Sequence, residues 1–332
     1  MPKPQTVVVD EGSNQIKVCW IDETGKINLK VVPAMIQKKA GTNVNGDKID
    51  GSYKIEKTEY FVNPNILKPI TTKRKTYQVS KENRVLVHEA LRLAGFGGKK
   101  VDIICTLPVT QFYMNEGNVL DDELLAEKKA NLKGPIKCMT DCEIAQIVNV
   151  IVAPESVPAW FDMQFNDEME QDERLYEAKS VMVVDIGGTT TDICVIDGTG
   201  MMQGKRTVDS GVYDIARDLK IKMIQNGIAK ELPRTHMNGV LRSGTYQSKS
   251  VLNLIKEASD DLIDEVMDEM EELVPHSETL DHILYVGGGA AMIGEELAER
   301  YGNKARTHIP DNPDTVVARG LMKLNMISKE MA

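Results

Sequence analysis

The chain has 332 residues, room for two ordinary domains, with 42% hydrophobic and 27% charged residues, proportions suited to building cores while remaining in water. Its net charge of −10 excludes a general basic footprint for a DNA or RNA backbone, so direct nucleic-acid binding is not expected. Five cysteines without zinc spacing, no signal pattern at the N-terminus and no apolar run of membrane-spanning length point to reduced thiols in a cytoplasmic protein without membrane contact.

In chain order, residues 6–32 read as two or three strands. Val7-Val-Val-Asp10-Glu11 runs through a Gly12-Ser13-Asn14 turn into Ile16-Lys17-Val18, and Asp22-Glu-Thr-Gly25 supplies a second hairpin turn. Residues 33–79 are polar and turn-rich and read as a small inserted subdomain. Within them, Lys73-Arg74-Lys75 reads as a solvated loop. Ser80 is a fitting N-cap for a helix over 80–95 with Leu86, Ala90, Leu93 and Ala94 on one face. Val101–Cys105 and Ile147–Val152 read as buried strands around a helix over Asp121–Leu132. Cys138 and Cys142 have the spacing of one helix face and a structural role. The second of these strands delivers Pro154-Glu155-Ser156, a glutamate in a loop where α/β proteins place chemistry; a glutamate favouring a helix N-terminus is the plainer reading. Residues 162–177 carry seven acids against Arg174 alone and read as an exposed element.

The stretch Val181-Met-Val-Val-Asp185-Ile-Gly187-Gly188-Thr189-Thr190-Thr-Asp192-Ile-Cys-Val-Ile196 repeats the plan of the first hairpin, with its carboxylate 175 positions after Asp10. The two glycines are expected to take positive φ and to bring backbone close to a ligand. Successive N–H groups in such a turn form a nest for an anion, and threonine hydroxyls add donors. Asp185 is placed to hold a hydrated magnesium ion, since magnesium keeps waters and takes few carboxylates. An ordinary Gly-Gly hairpin is the competing reading. Thr207-Val-Asp209-Ser-Gly211-Val-Tyr213 opens a helix to about Ile224, residues 226–248 read as loop, and Val251–Val274 reads as a long helix. Gly287-Gly288-Gly289 follows an apolar strand and opens another helix, and residues 314–328 form the last. The five histidines show no ligand spacing.

Two mirrored hairpins of the phosphate-binding kind and a late triple glycine resemble the actin, heat-shock chaperone and sugar kinase superfamily, and within it the actin-like ParM (StbA) plasmid segregation proteins. Val101-Asp-Ile-Ile-Cys-Thr-Leu-Pro108, Glu127-Lys-Lys-Ala-Asn131, Pro154-Glu-Ser-Val-Pro-Ala159 and Gly320-Leu-Met322 are similar to that family in order, and the resemblance covers nearly the whole chain. It implies an α/β, actin-like two-domain fold, each domain a mixed β-sheet with flanking helices and a nucleotide cleft between them. Residues 1–160 would form the first domain, with the insertion at about 33–79 and a C-terminal helix at about 312–332 completing it; residues 161–311 would form the second.

The resemblance also implies the roles. ATP (GTP being the alternative) would bind with Mg2+ held through water by Asp10 and Asp185. Gly12, Ser13, Asn14, Lys17, Gly187, Gly188, Thr189 and Thr190 would contact phosphates, with Asp209 and Gly211 near the ribose and Gly287, Gly288 and Gly289 against the adenosine. Glu155 would orient the attacking water, beside Asp10 and Asp185 as the catalytic set, and Glu11 would stand behind them. For Lys17, Asp209 with Gly211, and the triple glycine, the plainer readings are a solvated lysine, a helix cap and a structural turn. The implied function is an ATPase that polymerises into a filament on nucleotide binding, is destabilised by hydrolysis, and segregates plasmid DNA through a ParR-type adaptor on a centromere-like site. A small-molecule (sugar-type) kinase is the alternative. A heat-shock-type chaperone is disfavoured, since no peptide-binding segment follows the last helix.

Overall fold

A computed structural model of the chain describes residues 3–114, 118–198, 200–232, 234–302 and 306–330, and none of the expected site residues lies outside that set. The chain divides into two units, Met1–Glu177 with Thr315–Ala332, and Ala178–Asp314. Residues 161–177, assigned from sequence to the second domain, belong to the first unit.

The first unit opens with β1 (Gln5–Glu11), β2 (Gln15–Ile21) and β3 (Ile27–Pro33), three strands joined by the two expected hairpin turns. The insertion supplies β4 (Ile36–Lys38), β5 (Ser52–Ile55) and β6 (Thr58–Val62). Helix α1 (Lys81–Leu91) starts where Ser80 accepts a hydrogen bond from the Asn83 amide, and a wider turn carries it on to Phe96, leaving Leu93 exposed rather than on the buried face. There follow β7 (Lys100–Leu107), α2 (Val109–Phe112), the short pair β8 (Tyr113–Met114) and β9 (Val119–Leu120), α3 (Asp122–Leu132), β10 (Lys137–Cys138), β11 (Gln146–Pro154), α4 (Val157–Gln164) and α5 (Glu173–Tyr176).

The main sheet of this unit has the order β11-β7-β1-β2-β3. It is parallel across β11, β7 and β1 and antiparallel through the hairpins. A parallel pair buried on both faces demands apolar residues at successive positions, which Val7-Val8-Val9 and Ile103-Ile104-Cys105 provide. The insertion forms a second sheet, β10-β5-β6-β4, whose edge strand comes from outside the insertion. Cys138 and Cys142 are paired there as a disulfide rather than held as reduced thiols. They sit on a strand end and the bend beyond it rather than on a helix, with Cα atoms 6.1 Å apart, within bridging reach. Cys19, Cys105 and Cys194 are free and buried.

The second unit repeats the plan. It contains β12 (Ser180–Ile186), β13 (Thr191–Asp197), β14 (Met202–Val208), α6 (Val212–Gln225), α7 (Arg234–Ser243), the hairpin β15 (Thr245–Tyr246) with β16 (Lys249–Ser250), α8 (Leu252–Leu273), β17 (His282–Val286), α9 (Ala290–Tyr301) and β18 (Thr307–His308). Its sheet runs β14-β13-β12-β17-β18, with antiparallel hairpins on one side of β12 and parallel strands on the other. Helix α7 and strand β15 lie in the 226–248 stretch read as loop, and β16 follows directly after it. Met237, Val240 and Leu241 are buried at helical spacing, and intervening polar residues hid that stripe. The methionines Met267 and Met270 of α8 are core.

Helix α10 (Val316–Glu330) rejoins the first unit, its Ala318, Leu321 and Met322 packing on Val8, Cys19 and Ile104. It crosses α4 at Gly320, where a Cβ would overlap the Pro158 carbonyl. Buried Lys323 donates to the Phe165 carbonyl (2.6 Å) and pairs with Asp162, and Arg319 reaches Asp162 and Asp167. That clamp binds residues 162–167 to the first unit. No described helix is long and apolar enough to cross a membrane.

Candidate functional site

In the first unit, three strands end side by side. The register of β1 with β7 and of β7 with β11 brings Asp10 and Glu11, Thr106 and Leu107, and Pro154 and Glu155 to the same edge of the sheet. The C-terminal ends of parallel strands are where open α/β sheets collect their chemistry. Asp10 faces Lys17 across the hairpin, and the ammonium lies 2.9 Å from its Oδ2. The other oxygen, Oδ1, accepts from the Thr106 hydroxyl at 3.3 Å. Gly12 has no room for a side chain, since a Cβ would stand 2.9 Å from the Gln15 carbonyl and 3.3 Å from the Lys17 ammonium. Ser13 contributes its carbonyl to the Thr72 hydroxyl (2.6 Å), which ties the turn, with Asn14 beside it, to the inserted subdomain.

Glu11 is fully buried and pairs with fully buried Lys128 at 3.0 Å. Burial pushes its carboxyl above the ordinary range, and the Lys128 charge opposes the shift.

Glu155 is half-buried, and its amide donates to the Leu107 carbonyl at 2.8 Å. The next residue, Ser156, is buried with φ 68° and ψ −57°, and the Val157 amide returns to the Glu155 carbonyl at 2.8 Å. These are the angles and hydrogen bond of a γ-turn, a rare and strained conformation outside glycine. Strain of about 1–3 kcal/mol persists only where the surroundings impose it. Here the imposed turn aims α4 away and leaves Glu155 at the strand edge.

In the second unit, Asp185 is the last residue but one of β12, opposite Asp192 on β13 and beside Val286 of β17. Gly187 and Gly188 do not take positive φ, contrary to expectation. Gly187 is glycine for proximity, since a Cβ would meet the Thr190 carbonyl at 2.9 Å, and its amide bonds that carbonyl. Gly211 packs beneath the same turn, where a Cβ would lie 2.6 Å from the Gly187 carbonyl and 2.9 Å from the Thr189 amide nitrogen. The first amides of α6 are spent on the turn: Val212 donates to Gly187 (3.1 Å) and Tyr213 to Gly188 (2.8 Å). Gly211 therefore seats the helix against the hairpin.

Of the triple glycine, Gly287 alone has left-handed φ, 82°, and a Cβ there would overlap the Asp185 carboxylate. Gly289 is pressed on Ile186 and Val212, whereas Gly288 faces open space. The three glycines thus lie against the Asp185 hairpin, and only Gly288 presents bare backbone.

Asp192 has no assigned role in the sequence reading. It is buried, and its carboxyl is pushed up to about 6, first by burial and then by the Asp209 charge; hydrogen bonds from Thr207 (2.5 Å) and Thr190 (3.4 Å) oppose the shift. The available sequence signal is a second acid directly across the hairpin from Asp185.

Among the described residues no cluster of three or more metal-ligating side chains occurs. A hydrated magnesium ion needs few protein ligands, so a single carboxylate such as Asp10 or Asp185 fits one.

The family model for the plasmid segregation protein ParM, N-terminal, matches residues 5–166, and that for the archaeal actin homologue MreB-like, C-terminal, matches residues 183–299. No curated protein matches the sequence. Among solved structures, a non-polymerisable quadruple mutant of pCBH ParM is similar with TM-score 0.72 and 19% identity, covering 98% of this chain and 100% of that one. A 15-stranded ParM filament from Clostridium botulinum gives 0.72 and 18%, with 98% and 100% covered. The archaeal actin homologue Ta0583 in complex with ADP gives 0.73 and 17%, with 98% and 99% covered. At these identities the likeness shows the fold alone, an actin-like α/β fold of mixed sheets with flanking helices, as the resemblance implied.

Proposed function

Since the chain belongs to the actin-like proteins of the ParM type, we propose that it is a plasmid-segregating filament protein that polymerises on binding Mg-ATP and disassembles after hydrolysis. The observation that carries the reading is the duplicated plan: each unit has a carboxylate, Asp10 or Asp185, at the last position but one of a central strand that leads through a tight turn into an antiparallel partner. Gly12, Ser13, Asn14 and Lys17 in one unit, and Gly187, Gly188, Thr189 and Thr190 in the other, supply amides, hydroxyls and a cation for phosphates. Lys17, which pairs with Asp10, would also reach a phosphate. Gly287, Gly288 and Gly289 would offer backbone to the adenosine, and Asp209 and Gly211 stand behind the phosphate turn. Magnesium held by Asp10 and Asp185 through water would neutralise phosphate charge.

Phosphoryl transfer to water asks mainly for positioning and electrostatics. Glu155, fixed by its amide to the end of β7 and by the strained turn after it, is the carboxylate suited to aligning the water. The partners are further copies of the chain and a ParR-type adaptor on a centromere-like plasmid site. The test follows light scattering and phosphate release after adding Mg-ATP to micromolar protein. A rise above a critical concentration, then decay as phosphate appears, is the expected result. Flat scattering at every concentration with phosphate still released would overturn the filament reading.

A further inference from the structure

We propose that Glu11 and Lys128 form a buried positioning pair that sets Asp10 and Glu155 for hydrolysis, an inference that rests on the hydrolytic reading above. Both side chains are fully shielded from solvent, which demands a partner for each charge. The pair closes a ring around the last residue of β1. Lys128 Nζ lies 3.0 Å from Glu11 Oε2 and donates to Gln78 Oε1 at 2.7 Å, while Gln78 Nε2 donates to the Glu11 carbonyl at 3.3 Å. Glu11 is thus gripped by its side chain and its backbone at the point where the Gly12 turn begins.

From that ring one residue leads to both candidate groups. Glu11 Oε2 accepts from the Thr106 amide at 3.3 Å, and the Glu11 amide donates back to the Thr106 hydroxyl at 3.5 Å. The same hydroxyl donates to Asp10 Oδ1, and the next residue, Leu107, receives the Glu155 amide. Lys128 therefore fixes Glu11, Glu11 fixes the end of β7, and that end orients Asp10 on one side and Glu155 on the other. Glu11 Oε1 is buried with no hydrogen-bond partner among the described residues, and a carboxylate held this incompletely is poorly arranged for stability alone. Such imperfection is expected where a group is retained for what it positions.

The test removes both charges together, because deleting one strands the other in the interior. The double variant Glu11→Gln/Lys128→Met is compared with the wild type and with Lys129→Met, which deletes the exposed neighbouring charge. Thermal melting, affinity for a fluorescent ATP analogue and single-turnover phosphate release are measured on each. Phosphate release is expected to fall about tenfold or more in the double variant, the cost of slightly misplaced groups, with affinity unchanged. Lys129→Met should match the wild type. Release at the wild-type rate from the double variant overturns the proposal, as does a loss of affinity that accounts for the whole fall. Should the double variant not fold, Gln78→Leu opens the same ring, and an unchanged rate there overturns the proposal equally. A wild-type protein that releases no phosphate sinks the hydrolytic reading instead. The relay is then judged by amide exchange at Glu11 and Thr106 in nucleotide-free protein: faster exchange in the variant supports it, and unaltered exchange overturns it.

Discussion

Asp192→Asn is expected to make the protein more stable at neutral pH, and only there. Burial raises the Asp192 carboxyl from 3.8 to about 6, so the folded chain holds this proton more tightly than the unfolded chain does. A raised carboxylate contributes its full stability below the unfolded value, and that contribution is lost as pH rises towards the folded value. The slope therefore lies between about pH 4 and pH 6 and is flat above it. A shift of about two units corresponds to about 3 kcal/mol of penalty at pH 7. Asparagine removes the ionisation and keeps an oxygen for the Thr207 hydroxyl, at the loss of about 1 kcal/mol for a hydrogen bond to a charged acceptor. The net gain at pH 7.5 is then about 2 kcal/mol, shrinking towards zero or below at pH 4. Urea unfolding without nucleotide, followed by a probe in the second unit at pH 4.5, 5.5, 6.5 and 7.5, measures it. A variant-to-wild-type difference that does not change with pH would refute the reasoning, because the gain would then owe nothing to the proton.

Other changes test the remaining geometry. Glu155→Ala should retain nucleotide binding and slow phosphate release by about two orders of magnitude, the usual worth of such a group; unchanged release removes it from the site. Gly287→Ala should lower the stability of the second unit while Gly288→Ala leaves it unchanged, since only the first meets Asp185 and a left-handed backbone; equal melting temperatures without nucleotide would contradict that distinction. Gly320→Ala drives a methyl group into the Pro158 carbonyl and should cost about 3 kcal/mol of first-unit stability; a melting temperature equal to the wild type would show that α4 and α10 can part freely.

The hairpins were legible because their signals are local: an apolar run, a carboxylate and a glycine turn fall within a dozen residues at Asp10 and again at Asp185. Glu155 was legible through Pro154 and Ser156 at a strand end, yet the strained angles of Ser156 leave no trace in the letters. Lys128 lies 117 positions from Glu11, and nothing within α3 marks it as the one buried lysine of its turn. Gly187 and Gly211 were expected as ligand contacts; the packing accounts for a glycine at each, Gly187 against the Thr190 carbonyl of its own turn and Gly211 against the Gly187 carbonyl, the latter a contact between separate segments. The Cys138–Cys142 bridge escaped because the odd count argued against pairing, and the bend joining them is polar and patternless.

Helix α6 begins with its amides fastened to the carbonyls of Gly187 and Gly188 and runs 14 residues, about 20 Å of stiff rod. Its far end carries Ile221 and Ile224, both turned to solvent. A ligand that drew the turn inward by a fraction of an ångström would move the rod with it through these hydrogen bonds. If this turn holds phosphate as proposed, its state would thereby be written at a distance, on the surface that carries Ile221 and Ile224.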